Sequence, residues 1–107
     1  MLFVVLEAHG AAWDYSRPLR EQALWTEHAA FMDALEAEGF VALGGPLRHG
    51  ALLIVKADGE AQVRATLAED PWEQAAMLSI ESVEPWQILL GHLPGADETG
   101  PTAGSST

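Results

Sequence analysis

Residues 19–43 read LREQALWTEHAAFMDALEAEGFVAL, and the fold follows from how this stretch divides. From Leu19 to Glu38 there is no Gly or Pro. Leu24, Phe31, Met32 and Leu35 recur at helical spacing, while Glu21, Glu27, Asp33, Glu36 and Glu38 take the polar positions. Gly39 stands where a helix would leave through a left-handed residue. Ser16 as N-cap and Pro18 in the first turn suit the other end. The segment therefore predicts one long amphipathic helix over 19–38. Phe40-Val41-Ala42-Leu43 follows as a short strand, broken by Gly44-Gly45-Pro46, which reads as a hairpin turn.

Working outward, residues 2–8 (Leu-Phe-Val-Val-Leu-Glu-Ala) are apolar and β-branched and predict an opening strand, ended by His9-Gly10. Residues 9–17 form a loop. Residues 51–57 predict a third strand, apolar enough to be central. Asp58 is the expected N-cap of a second helix running to about Glu69. Asp70-Pro71-Trp72 begins another short helical turn, with Asp as cap and Pro at the first helical position. Residues 77–84 predict a fourth strand, and Pro85-Trp86 starts a last extended piece near Leu90. The order β-α-β-β-α-β is the ferredoxin-like pattern, an α+β fold with an antiparallel sheet and helices on one face. The bare face needs a cover, and a second copy is the simplest one by symmetry. Residues 1–92 are the expected domain. Residues 93–107, rich in Gly, Thr and Ser, are an expected flexible tail.

Composition narrows the function. The 107 residues carry 5 Lys+Arg against 16 Asp+Glu, a formal charge of −11, and no Cys. Disulfides, Cys-ligated metals and thiol catalysis are excluded. Nucleic acid and anionic membranes are disfavoured, because too few cations exist to replace their counterions. The first apolar run, Leu2–Leu6, is too short for a signal-peptide core or a membrane span. A cytoplasmic protein is the expectation.

Two polar residues stand out. His28 falls on the apolar stripe with Leu24, Phe31 and Met32, where an imidazole is desolvated and needs a partner. It is either a core histidine satisfied by a backbone carbonyl or a group with chemical work to do. Asp70 is either a plain helix cap or the acceptor that fixes the His28 ring and stabilises its protonated form. Both roles coexist only if one carboxylate can serve cap and ring. Arg20 is a candidate for a substrate carboxylate or a surface ion pair. Gly45 and Pro46 permit close approach of another group. Trp72 is a core residue, a dimer contact or a ligand platform. His9, His49 and His92 lack the i, i+4 spacing of a helical metal site, so no metal is expected.

The run His28-Ala-Ala-Phe31-Met32-Asp-Ala-Leu35-Glu-Ala-Glu-Gly39-Phe-Val-Ala-Leu43-Gly44-Gly45-Pro46-Leu47, with Asp70-Pro71-Trp72 and Val83-Glu84-Pro85-Trp86, resembles the YCII-related (YciI-like) family over about residues 2–90. The resemblance implies a dimeric α+β barrel in which two subunits pack their bare sheet faces together. It implies a cleft with a His–Asp pair, here His28 and Asp70. It also implies a cofactor-free acid–base enzyme, of lyase or isomerase type, acting on a small carbonyl compound or unsaturated acid. One branch of the family is a lyase that eliminates chloride from a chlorinated ring-cleavage product. The alternative is a non-catalytic homodimer that binds a small ligand or serves as an accessory subunit.

Overall fold

The computed structural model describes residues 1–93. Its strands are β1 (Leu2–His9), β2 (Val41–Leu47), β3 (Gly50–Lys56) and β4 (Leu78–Trp86), and its helices are α1 (Trp25–Ala37), α2 (Glu60–Leu67) and α3 (Pro71–Gln74). A 3-10 turn, Leu19–Glu21, precedes α1. The sheet has the order β2-β3-β1-β4 with every neighbour antiparallel, so β1 and β3 are central. This is the βαββαβ arrangement expected from the sequence. Apart from Leu93, the expected tail lies outside the described residues. Among the described residues no helix is long and apolar enough to cross a membrane.

Alternation along β1 sends Phe3, Val5 and Glu7 to one face and Val4 and Leu6 to the other. Phe3 and Val5 join Leu53, Val55 and Val83 beneath Leu35 of α1 and Val63 and Leu67 of α2. Val63 and Leu67 are fully buried, and each such burial is worth roughly 1.5–3 kcal/mol. The opposite face carries Val4 paired with Ile54, Leu6 with Leu52, and Leu43 with Ile54. Among the described residues no helix covers that apolar face.

The C-terminus of α1 follows expectation. Gly39 sits at φ +85, its amide donates to Glu36 O, and the Phe40 amide donates to Leu35 O. These bonds make a Schellman close. The N-terminus is different. Instead of starting at Leu19, α1 starts at Trp25, behind Leu24 at φ 63. Two tertiary contacts break the helix there. Gln22, 3% exposed, receives the Asp14 amide on Oε1 and donates Nε2 to the carbonyls of Asp14 and Arg17. The Trp72 indole donates to Ala23 O at 2.7 Å, occupying a carbonyl that a longer helix would need for its own ladder. Ser16 is no N-cap. Its amide and hydroxyl both donate to Asp14 Oδ1.

Two further boundaries shift. β2 runs through Gly44-Gly45-Pro46 to Leu47, and the hairpin turns at Arg48-His49 instead. Pro46 is tolerated because β2 is an edge strand and the missing N–H costs no ladder bond. The N-cap of α2 is Gly59, not Asp58, whose amide donates to Gln62 Oε1. The last extended piece, expected as a separate segment after Pro85, is continuous with β4 as far as Trp86.

Gly50 opens β3 directly against the strand beside it. A Cβ at this position would collide with the Glu7 carbonyl, which is backbone and cannot rotate away. Gly50→Ala should therefore cost about 2 kcal/mol or more through forced separation of β1 and β3. Urea unfolding checks this as a lower midpoint with an unchanged slope.

Candidate active site

The site begins at the Asp70-Pro71 turn. Asp70 is 1% exposed, and its Oδ1 accepts the Trp72 amide at 2.9 Å as a helix cap. The same carboxylate accepts from His28 Nδ1, at 2.9 Å to Oδ1 and 3.1 Å to Oδ2. One carboxylate thus serves both the cap and the ring. The acceptor of the imidazole is a carboxylate and not the backbone carbonyl that a simple core histidine would use. Because a carboxylate only accepts, Nδ1 carries the hydrogen and Nε2 is left as the ring nitrogen for other work.

Trp72 holds the ring from the side. Its indole stacks on the imidazole with centroids 3.9 Å apart and planes 8° from parallel. Trp72 is itself 2% exposed and is tied at Nε1 to Ala23 O. Trp13 meets Trp72 edge-on at 5.2 Å, and Trp25 lies tilted against both Trp72 and His28. Aromatic pairs of this kind contribute about 0.5–1.5 kcal/mol each beyond simple burial. The loop over 9–17 is organised by the same rings, since Trp13 stacks on His9 at 4.0 Å and the Tyr15 hydroxyl lies 3.3 Å from His9 Nδ1.

His28 borders a cavity of about 400 Å³ between α1 and the sheet. Trp25, Met32, Val41 and Leu53 supply apolar wall, and Gly45 and Pro46 of β2 form part of the rim. Among the described residues its ionisable lining is Glu7, His9, His28, Asp33 and Glu36, with no Lys or Arg. His28, Gly45, Pro46 and Trp72 thus come together around one space, with Asp70 directly behind the imidazole. Arg20 does not join them. The break at residues 22–24 takes it off α1, and its guanidinium lies 5.6 Å from the Trp25 ring centroid, outside the cavity lining. His49 sits exposed in the β2–β3 turn. Among the described residues no three His, Asp or Glu side chains converge as a metal site.

Sequence reasoning missed Glu7, which it read only as the end of an apolar run. Glu7 is 5% exposed, lines the cavity, and has an Oε2 without a hydrogen-bond partner. The signal was available in the alternation Phe3, Val5, Glu7, which turns the carboxyl inward with the core. Burial, then the nearby Asp70 and Glu73 carboxylates, push its pKa from 4.5 up to about 7. The pKa of Glu73 is also raised, chiefly by burial. Burial and neighbouring His49 lower that of His9.

The raised pKa has a definite sign in stability. Between about 4.5 and about 7 the folded chain keeps a proton on Glu7 that the unfolded chain has released. Stability therefore falls as pH rises through that window, by about 3 kcal/mol at most. Glu7→Gln, which cannot ionise, should remove most of this slope. Thermal unfolding of the two proteins across the window checks it.

No family model matches the chain, and no curated protein matches it significantly. Among solved structures, the chain is similar to 5-chloro-2-hydroxyhydroquinone dehydrochlorinase (TftG) from Burkholderia phenoliruptrix AC1100, solved in complex with 2,5-dihydroxybenzoquinone. The TM-score is 0.58 and the identity 24%, over 81% of this chain and 94% of that one. The fold is therefore one that a solved protein shares over nearly its whole length.

Proposed function

We propose that this protein is a YCII-related acid–base enzyme, of lyase or isomerase type, working through His28 and Asp70 on a small carbonyl substrate. One observation carries the reading: the His28 ring is held by a carboxylate at 2.9 Å and a stacked indole, at the wall of a cavity large enough for a small molecule. Asp70 orients the imidazole and stabilises its protonated form. Trp72 restricts the ring to one plane. Nε2 then takes a proton from the carbon beside the substrate carbonyl and returns it elsewhere or to solvent. An imidazole suits this because it titrates closer to neutral pH than other side chains.

The lining bears on substrate class. Acids without a lysine or arginine give a substrate carboxylate nothing to pair with. An uncharged, ring-shaped carbonyl or enol compound fits the aromatic and aliphatic walls better than an unsaturated acid. The fold shared with a dehydrochlorinase solved in complex with a dihydroxybenzoquinone agrees with a ring-shaped carbonyl or enol compound. The apolar outer sheet face supports a homodimer as part of the same proposal, because among the described residues no helix lies over Val4, Leu6, Leu43 and Leu52.

Two experiments test this reading. A panel of unsaturated lactones, chlorinated hydroquinones and muconate-like acids is assayed for elimination or isomerisation. Wild type should turn over at least one uncharged member. His28→Ala should lower that rate by about 10²–10⁴, and Asp70→Asn should lower it without abolishing substrate binding. A His28→Ala variant as active as wild type rules out the acid–base role. Light scattering should give twice the 11.5 kDa of one chain, and Leu6→Glu, which places a charge on the bare face, should give monomers.

A further inference from the structure

His28 accounts for one proton in this cavity, and any enolisation moves two. A proton leaves carbon, and another must reach the carbonyl oxygen as its negative charge develops. The Asp70 carboxylate is committed to the Trp72 amide and to His28 Nδ1. Asp33 and Glu36, which also line the cavity, are exposed on α1 and keep contact with water.

Glu7 is placed differently. It enters from the sheet side, on β1, immediately after the irregularity in pairing with β4 at Leu6/Glu7. Its side chain is 5% exposed, lines the same cavity as His28, and leaves Oε2 without a hydrogen-bond partner. Buried carboxyl oxygens are ordinarily satisfied, so an orphan oxygen at a cavity wall marks a group whose partner arrives with the ligand. The ionisable groups facing it are Asp70, behind the His28 ring, and Glu73 of α3. His28 of α1 and His9 of β1 share the cavity lining, and His49 acts from the β2–β3 turn on His9. No cation in the lining offsets the two acids.

We propose that Glu7 is the second proton-carrying group of this site, donating its carboxyl proton to the oxygen of a bound uncharged ketone while His28 Nε2 removes a proton from the adjacent carbon. This rests on the acid–base reading above and adds a residue and a direction to it. The step balances. The C–H bond breaks to His28, its electron pair becomes the new C=C bond, the carbonyl π pair becomes an O–H bond, and Glu7 is left as carboxylate. When the deprotonated carbon also adjoins a C=C bond, return of the His28 proton to the far end of the resulting dienol, with Glu7 taking back the enol proton, completes an isomerisation. Where the next carbon carries a halide, Glu7 takes back the enol proton, the C=O bond re-forms, the enol C=C pair moves into a new C=C bond toward that carbon, and the halide leaves, which completes an elimination. A Glu7 titrating near 7 is about half protonated at neutral pH and gives up its proton readily.

The test uses the full-length protein and cyclohexane-1,4-dione, an uncharged diketone, as probe. Carbon NMR of glutamate-labelled protein should show one carboxyl signal titrating near 7, absent in Glu7→Gln. Proton NMR in heavy water then follows exchange of the probe's ring hydrogens. Wild type should accelerate exchange, and His28→Asn and Glu7→Gln should each slow it by about tenfold or more. Glu7→Gln replaces one buried group by another of the same shape, so an unchanged near-ultraviolet dichroism spectrum separates lost chemistry from lost fold. Exchange that falls in His28→Asn but not in Glu7→Gln overturns the role of Glu7 and leaves the His28 reading standing. No acceleration by wild type overturns both.

Discussion

Most of the architecture around the site depends on the double use of one buried carboxylate. Asp70 closes the first turn of α3 through the Trp72 amide and, with the same Oδ1, holds His28 of α1. The two helices are far apart in sequence, and this contact sets the distance between them. Trp72, positioned by the cap, stacks on the imidazole that Asp70 also holds. Its indole reaches on to Ala23 O and so helps decide where α1 begins. Removing the carboxylate would free a buried N–H, a buried ring and the stack together, which is the most costly kind of single change in a protein interior.

The charge of −11 acquires a location. Part of it lies in solvent, since Glu27 and Glu38, on α1 and at its C-terminal end, are exposed. Asp33 and Glu36, though exposed, also border the cavity, and Glu7 is buried in its wall. The site is therefore acidic in lining and apolar in volume. That combination repels anions and raises carboxyl pKa values in one stroke, because the absent cations would otherwise have lowered them.

The fold was legible because its signals are local. The stretch from Phe31 to Leu43 encodes a helical stripe, a glycine exit and a strand within one short span, and the Schellman bonds at Gly39 realise it. The Asp-Pro start of α3 is equally local, as a side chain capping an amide two residues on. His28 and Asp70 could each be picked out as residues needing a partner. That they partner one another rested on family resemblance, since 42 residues separate them and no spacing rule spans such a distance.

The sequence by itself determined the element types, the βαββαβ order, the helical stripe of Phe31, Met32 and Leu35, and the cap at Asp70. Propensity and periodicity act over a few residues and are written in neighbouring side chains. Tertiary structure alone decided that α1 starts at Trp25, because Gln22 and the Trp72 indole compete for backbone groups the helix would have used. It also carried β2 through Pro46, which only an edge strand allows, and placed Arg20 outside the cavity and Glu7 within it. Each of these outcomes turns on which distant group arrives to satisfy or to bury a polar atom, and that is settled only when the layers pack.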